Sequence, residues 1–374
     1  MSKLDILIKD FNREYKDTIA FKGVARNPVA RIPFSSPRAN YMLYGGVPRG
    51  RMIEFAGEEG GGKTTTALDV VANAQRVFQK EWEDEVARLE SINSKEAQNK
   101  LKEIKESGPK QIIYIDSENT LDVDWAMKIG VDVDDIYLLR PQEQTAEQIF
   151  DMMLEAIKTG EVGLMVLDSV ATLVPQAIFD ESMEKKSYCG VSQPLTMFCN
   201  KVTPLLNKYQ TCLIMINQVR EDIDNPYNMY KTPGGKAFKH HCSVRIIFQK
   251  GTFIDERGNE LKRSAESPAG NLVLMSIAKT KVCKPDRRTG FYTLNYNTGI
   301  DVVSDVVETA LKYNFIRQSG SWYNFIDPET GEFMTDDNEQ IIKLQGKPAV
   351  KEYLHDNPVI LEELLQRINS QIES

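Results

Sequence analysis

The sequence lacks the features of membrane and secreted proteins. No window approaches about 18 consecutive apolar residues, so no transmembrane helix is predicted. The N-terminus, MSKLDILIKDFNREYK, has no apolar core followed by a small-residue cleavage site, which argues against a secretory signal. The five cysteines are odd in number and include no C-x-x-C pair, so neither a zinc ribbon nor a disulfide framework is expected. We therefore expect a protein of the cytoplasm, with no membrane partner.

Positive charge is not in excess either. Lys and Arg total 46 against 54 Asp and Glu, which gives a net charge of −8. Taken alone, this balance argues against a simple basic nucleic-acid binder, although it is compatible with a local basic groove. Histidine is scarce, and the adjacent pair His240 and His241 favours a charged or interface role over a metal site.

What the sequence does have is a series of short apolar runs. They are MIEFAG (52–57), IIYID (112–116), GLMVLD (163–168), CLIMIN (212–217), SVRIIF (243–248), NLVLMSIA (271–278) and FYTLNY (291–296). Runs of this length predict buried strands, and their alternation with helical segments predicts an α/β fold with a mostly parallel central sheet. The later runs have no long helices between them, so they predict an antiparallel extension of the same sheet.

Three other segments accompany this sheet, which we place in a core of residues 35–300. Residues 1–34 predict a helix and a tether, since Leu4, Leu7, Ile8, Phe11 and Tyr15 form one helical stripe. That helix packs either on its own domain or on a neighbouring subunit. Residues 79–110 predict an inserted helical hairpin, either a solvated excursion or a partner contact. Residues 301–374 predict a small C-terminal α/β domain.

The stretch GEEGGGKTTT, which starts at Gly57, contains the G-x-x-x-x-G-K-[ST] pattern of a phosphate-binding loop. It follows an apolar strand and precedes a helical segment, which is the context that the pattern requires. The glycines let backbone N–H groups approach phosphates, and the helix N-terminus adds a favourable dipole. We therefore expect Lys63 to reach the β- and γ-phosphates of a nucleotide and the Thr64 hydroxyl to contact Mg²⁺.

Two carboxylates follow later strands. Asp168 ends the strand GLMVLD, and with the phosphate-binding loop upstream it is expected to hold the Mg²⁺ shell. Glu118 lies just beyond the strand IIYID, where a carboxylate can orient a water towards the γ-phosphate. The alternative for Glu118 is a carboxylate that offsets a helix dipole.

Gln218 ends the strand in CLIMINQVR, immediately before a long irregular segment. An amide at this position can sense the γ-phosphate and order the segment that follows. That segment mixes basic side chains with tyrosines and ends near Gly234 and Gly235, which suits single-stranded nucleic acid. The alternative is a surface loop of average charge, because nearby acidic residues partly cancel its cations.

The order of these motifs resembles the bacterial RecA recombinase family. The matching stretches are GGVPRGR, GEEGGGKT, YIDSENTLD, MVLDS, INQVR, PGGKAFK and IAKTKV, which together cover roughly residues 35–300, and GSWY (320–323) is similar to the family's C-terminal domain. Several motifs in one order are far more specific than one phosphate-binding loop. The resemblance implies a RecA-type P-loop ATPase core.

The resemblance also implies roles for individual residues. The implied catalytic residues are Lys63, Glu118, Gln218, Lys279 and Lys281, with the two later lysines reaching the ATP of the adjacent subunit. The implied ATP-binding residues are Gly57, Glu58, Glu59, Gly60, Gly61, Gly62, Lys63, Thr64, Thr65, Asp122 and Trp125, and the implied Mg²⁺ residues are Thr64 and Asp168. The implied DNA contacts are Lys201, Arg220, Gly234, Gly235 and Lys236, with loops at 179–190 and 219–239.

The chain also departs from the family's pattern. Glu58, Gly60 and Gly61 stand where the family usually has Pro and two serines, and Pro194 stands where an Arg contact is expected. The second DNA loop has Asn, Pro and Tyr in place of a tract rich in Gly and Thr. These departures predict a divergent member that acts in a bacterial cell or in a phage-infected host.

The function implied by the resemblance is an ATP-dependent recombinase. It forms a helical filament on single-stranded DNA, pairs that DNA with homologous duplex and hydrolyses ATP at protomer interfaces, in recombination and DNA repair. Single-strand-binding and loading proteins are implied as further partners. Two alternatives stay open, namely a hexameric helicase or translocase with the same core fold, and an ATP-binding assembly or regulatory protein.

Overall fold

A computed structural model gives the fold of the chain. The structure describes residues 2–14, 29–179, 190–221, 230–256, 258–262, 264–327, 330–336 and 339–373. The chain divides into two compact units, one of residues 1–30 and one that begins at Arg31. In the first unit, helix α1 (Lys3–Glu14) is amphipathic, with Leu4, Leu7 and Phe11 exposed. Tyr15, the last member of the predicted stripe, lies outside the described residues.

Strands and helices alternate through the second unit. Its strands are β1 (Arg31–Ile32), β2 (Val47–Pro48), β3 (Met52–Gly57), β4 (Gln111–Asp116), β5 (Tyr137–Leu139), β6 (Val162–Asp168), β7 (Cys212–Gln218), β8 (Arg220–Glu221), β9 (Tyr230–Lys231), β10 (Val244–Ile254), β11 (Glu260–Leu261), β12 (Gly270–Thr280), β13 (Thr289–Asn295), β14 (Gly299–Ile300), β15 (Ile316–Ser319), β16 (Trp322–Phe325) and β17 (Lys343–Gln345). Its helices are α2 (Pro37–Met42), α3 (Lys63–Glu90), α4 (Lys95–Ser107), α5 (Val123–Ile129), α6 (Ala146–Lys158), α7 (Gln176–Phe179), α8 (Ser192–Tyr209), α9 (Gly235–His241), α10 (Val302–Lys312), α11 (Gly346–Asp356) and α12 (Pro358–Glu373).

The central sheet has the strand order β14-β13-β12-β10-β3-β7-β6-β4-β5. The strands from β10 to β5 pair in parallel, whereas β12, β13 and β14 add antiparallel pairs at one side. The predicted parallel sheet with an antiparallel extension is therefore confirmed. Strands β3, β7, β6 and β4 run in the same direction, so the loops that follow them lie together at the carboxyl ends of the strands. We call this side of the sheet its first edge, and the side at the amino ends of these strands the opposite edge.

Two apolar layers cover the sheet. On one face, Phe55, Tyr114 and Ile214 pack with buried residues of α3, such as Val71 and Phe78. The buried residues of the other face are mostly Leu, Ile, Met and Phe, and they come from the strands and from α6, α8 and α9. Both faces of the central strands β3, β4, β6 and β7 are therefore covered, which explains why these strands are near-continuous apolar runs in the sequence.

Some predicted strands differ in length from those observed, and the short strands β5, β11 and β14 of the central sheet were not predicted. The predicted runs at 243–248 and 271–278 belong to strands of 11 residues each, β10 and β12. The edge strand β5 was not predicted, because Tyr137 and Leu138 are exposed and its three residues are too few to form a pattern. In the described part of the chain, no helix is long and apolar enough to cross a membrane.

The segment 79–110 differs from the predicted separate hairpin in one respect. Helix α3 runs without a break from Lys63 to Glu90, so the first arm is the continuation of the helix that follows the phosphate-binding loop. The second arm, α4, is capped by Ser94, which accepts a hydrogen bond from Ala97 N. Trp82 Nε1 donates to Ile104 O at 3.0 Å and joins the two arms.

The C-terminal residues form an antiparallel sheet, β15-β16-β17, packed with α10, α11 and α12. Its apolar cluster includes Val306, Phe325 and Leu354, and is distinct from the two clusters of the central sheet. Buried Asp305 ties this part to the core, because it pairs with Arg38 at 3.1 Å and accepts from Thr293 Oγ1 at 3.2 Å.

Candidate nucleotide site and nucleic-acid interface

Glycines shape the loop between β3 and α3. A Cβ on Gly57 would lie 2.4 Å from Phe248 O, and one on Gly62 would lie 2.8 Å from a Val273 methyl. Gly60 and Gly62 also have φ values of +70° and +93°, which favour glycine. Gly61 is similarly close to its own loop, with a Cβ 3.0 Å from Glu58 O. Close contacts therefore account for glycine at 57 and 62, and the positive φ values favour glycine at 60 and 62.

Lys63 begins α3 and turns its ammonium group back onto the loop. Its Nζ donates to Gly57 O at 2.9 Å and to Glu58 O at 2.7 Å. Burial lowers the pKa of Lys63, while the nearby carboxylates of Asp168 and Glu118 oppose this shift. The cation is held at the mouth of the loop, where phosphate oxygens of a nucleotide would be its natural partners.

Asp168 lies at the end of β6, opposite the start of α3. It accepts hydrogen bonds from Thr64 Oγ1 at 2.8 Å and from the Tyr114 hydroxyl at 2.9 Å. Burial raises the pKa of Asp168, and these two hydrogen bonds oppose the increase. Tyr114 was not predicted as a site residue. The sequence indicates it only by placing a residue with a hydroxyl group inside the apolar run IIYID.

This donor set fits Mg²⁺ bound together with a nucleotide. Among the described residues, no group of three or more His, Cys, Asp or Glu side chains could hold a metal ion by itself. Mg²⁺ commonly takes one or two protein oxygens and completes its octahedron with phosphates and waters. The Thr64 hydroxyl and the Asp168 carboxylate, 2.8 Å apart beside the glycine loop, offer such a partial set.

Glu118 and Gln218 are brought together at the same edge of the sheet. Glu118 Oε1 accepts from Ser169 Oγ at 2.6 Å and from Gln218 Nε2 at 3.4 Å. Gln218 pairs in register with Gly57, the first residue of the loop. The carboxylate of Glu118 is thus oriented by one hydroxyl and linked to the amide that precedes the second predicted DNA loop.

The structure places Asp122 and Trp125, two of the implied ATP-binding residues, beside the start of α3. Asp122 caps helix α5 by accepting from Trp125 N at 3.0 Å, and Trp125 Nε1 donates to Thr65 Oγ1 at 3.3 Å. Neither of them lines the cavity that adjoins residues 60–65. The same cavity is also lined by Lys250, Phe253, Asn271 and Tyr296, which were not predicted as site residues.

Lys279 and Lys281 lie at the opposite edge of the sheet. Both ammonium groups donate to His240 O, at 2.8 and 2.9 Å, and Lys279 also donates to Lys239 O. These carbonyls end helix α9, where a cation is favourable.

The backbone register fixes how far these lysines are from the phosphate-binding loop of their own chain. Lys281 N donates to Ser243 O and Ser243 N donates to Met52 O, so Lys281 is level with the first residue of β3. Gly57 lies five residues further along β3, which is about 17 Å of strand. The two lysines and the phosphate-binding loop of one chain are therefore at opposite edges.

The roots of the two predicted DNA loops are neighbours, although residues 180–189 and 222–229 lie outside the described part. Gly234 and Gly235 begin α9 with φ values of +100° and +76°. A Cβ on Gly235 would lie 3.5 Å from Ser192, at the start of α8. Lys201 on α8 and Lys236 on α9 are exposed. Arg220 is the first residue of β8, which pairs with β9. The structure describes the backbone of Arg220 and not its side chain.

Comparison with known proteins covers nearly the whole chain. The model of the RecA N-terminal domain matches residues 7–81 and 91–301, and that of the RecA C-terminal domain matches residues 304–373. Protein RecA of Fusobacterium nucleatum is 32% identical over 346 residues, 92% of this chain and 77% of the relative. Protein RecA of Kineococcus radiotolerans is 31% identical, with 93% and 84% covered, and that of Streptomyces coelicolor is 29% identical, with 99% and 85% covered. The chain therefore belongs to the RecA family of DNA recombinases.

Proposed function

We propose that this protein is a DNA-dependent ATPase that forms a helical filament on single-stranded DNA and exchanges strands with homologous duplex. One observation carries the proposal: the groups expected to form one ATP site lie at opposite edges of the sheet of a single chain. Lys63, Thr64, Asp168 and Glu118 occupy one edge, and Lys279 and Lys281 the other. A head-to-tail arrangement of protomers would bring the two edges together.

At the first edge, each side chain has a distinct task toward ATP and Mg²⁺. The bound metal ion would neutralise charge on the phosphates. Thr64 and Asp168 would supply protein oxygens to that ion, and Tyr114 holds Asp168 in place. Lys63 exchanges its backbone carbonyl partners for phosphate oxygens. Glu118, oriented by Ser169, accepts a hydrogen bond from the attacking water.

At the second edge, Lys279 and Lys281 approach the nucleotide of the neighbouring protomer. Two cations supplied across an interface stabilise transition-state charge in the same way as an arginine finger. Because a single chain cannot place both sets of residues around one ATP, hydrolysis depends on the assembly of protomers.

Gln218 links nucleotide state to DNA. It lies between Glu118 and the second loop, so its amide can report the presence of the γ-phosphate to the segment that follows. The DNA-facing groups are Lys201, Arg220, Lys236 and the backbone N–H groups near Gly234 and Gly235. Contacts of this kind favour phosphates, so DNA affinity should fall as salt rises.

Strand exchange between circular single-stranded DNA and linear duplex tests the proposal. We expect ATP-dependent joint molecules and no unwinding of a forked duplex. Unwinding without pairing would instead support the helicase alternative. ATP binding with neither activity would support the assembly or regulatory alternative. Addition of single-strand-binding or loading proteins to the same assay would test these further partners.

A further inference from the structure

A buried polar network crosses the centre of the sheet, apart from the side chains proposed for catalysis and DNA binding. Glu54 on β3 is fully buried and bonds to Arg245 Nε on the neighbouring strand β10. Its other oxygen accepts from Asn217 Nδ2, on β7, at 3.0 Å. One carboxylate thus joins three adjacent strands, including the strand that leads into the phosphate-binding loop.

The same network also reaches the returning end of the second DNA loop. Asn217 Nδ2 donates to Pro233 O at 3.0 Å, and Arg245 donates from its terminal nitrogen to Thr232 Oγ1 at 3.4 Å. Thr232 and Pro233 immediately precede Gly234. An ion pair that only stabilised the sheet would not require hydrogen bonds to Thr232 or Pro233, so the network also positions the end of this loop.

The position of Asn217 makes this connection relevant to nucleotide sensing. It directly precedes Gln218, and Glu54 lies three residues before Gly57. Asn217 donates its amide hydrogens to two acceptors, while its Oδ1 is buried and has no hydrogen-bond partner among the described residues. A buried acceptor without a partner is unusual and requires an explanation. A second arrangement of the loop root, in which Oδ1 gains a donor, would supply one.

We propose that Glu54, Asn217 and Arg245 are positioning residues that fix the root of the second DNA loop to the strands beneath the nucleotide site. Asn217 transmits a displacement of Gln218 to Pro233, and Arg245 holds Thr232 at the same time. The network therefore sets how strongly bound ATP increases DNA affinity. This inference rests on the proposed function, because it requires ATP-dependent DNA binding.

Asn217→Ala tests this network, with Asn324→Ala as a matched control. Asn324 is also a buried asparagine that donates to a backbone carbonyl, that of Ile342, but it lies in the C-terminal domain. The measurement is the affinity for fluorescent oligo(dT), by anisotropy, with ATPγS and with ADP. We expect the ratio of the two affinities to fall about tenfold in Asn217→Ala, within the usual range of coupling between sites. Affinity for a fluorescent ATP analogue without DNA should not change.

A second pair of variants covers the case in which Asn217→Ala does not fold. Thr232→Val removes only the hydroxyl that Arg245 binds and should reduce the same ratio, whereas Thr232→Ser should restore it. A wild-type ratio in Thr232→Val, or in a folded Asn217→Ala, would overturn the inference. An equal loss in Asn324→Ala would also overturn it, because general destabilisation would then explain the effect. If wild-type protein shows no ATP-dependent DNA binding, the proposed function fails instead.

Discussion

The two edges of the central sheet are built differently. At the edge beside the phosphate-binding loop, side chains bond to one another: Thr64 to Asp168, Ser169 to Glu118 and Gln218 to Glu118. At the opposite edge, Lys279 and Lys281 bond only to backbone carbonyls in the described part of their own chain. The first edge is a largely assembled site. The second edge offers two cations whose proposed phosphate partners are bound to another protomer.

The contrast between the two edges indicates how assembly could control hydrolysis. Groups that are already oriented need little rearrangement before chemistry, as electrostatic catalysis requires. Cations delivered from a neighbour are in place only after assembly. In the proposed filament, hydrolysis would therefore be restricted to assembled protomers.

The largest expected effect comes from the second edge. Lys281→Ala should reduce DNA-stimulated ATP hydrolysis by about 10³-fold or more, as for arginine fingers that act in trans. Nucleotide binding by isolated protomers should be retained, because Lys281 is level with Met52 and far from Gly57 of its own chain. Steady-state hydrolysis with and without single-stranded DNA, together with binding of a fluorescent ATP analogue, gives both values. Loss of nucleotide binding by the isolated protomer would contradict the separation of the two edges.

A smaller loss is expected from Glu118→Gln at the first edge. Removing a group that activates water should reduce hydrolysis by about 10²–10⁴-fold. The amide keeps an oxygen for the Ser169 hydroxyl, so ATP-dependent DNA binding should persist. Phosphate release measures hydrolysis, and the anisotropy of labelled DNA measures binding. Both measurements on the same preparation would show that hydrolysis is lost while DNA binding is retained. Full turnover in the variant would remove Glu118 from its proposed role.

The smallest effect is expected from Tyr114→Phe. The variant loses the hydroxyl that donates to Asp168 at 2.9 Å and keeps the buried ring. A single hydrogen bond to a charged group contributes about 1.5–3 kcal/mol. The Mg²⁺ concentration at the midpoint of nucleotide binding should therefore change by about tenfold or more. Titration of Mg²⁺ against binding of a fluorescent ATP analogue measures the shift without hydrolysis. An unchanged Mg²⁺ midpoint would show that Asp168 is oriented without Tyr114.

The first edge was largely predictable from the sequence, and the second was not. The glycine loop and Asp168 follow local rules, because a strand, a turn and a helix place them in a fixed order. Glu118 and Gln218 could be proposed from their positions at strand ends. Tyr114 could not, because its contact with Asp168 depends on the pairing of two strands that are distant in sequence.

The roles of the lysine pair and the buried network lie beyond local patterns. The lysines 279 and 281 were proposed only from the family resemblance, since two lysines in a strand carry no motif of their own. Glu54 and Arg245 read as ordinary strand residues, and only the register of β3 with β10 joins them. The continuity of helix α3 was likewise not predicted, because the sequence becomes rich in charged residues at position 79, which resembles the end of a helix.

The most direct test of a site shared between protomers is a mixture of Glu118→Gln and Lys281→Ala proteins. Each variant alone should be nearly inactive in DNA-stimulated hydrolysis. In a filament formed at equal amounts, about one interface in four would pair an intact Glu118 with an intact Lys281, because head-to-tail contacts form at random. The mixture should recover up to about one quarter of wild-type hydrolysis. A mixture as inactive as its two components would contradict an ATP site formed by two chains.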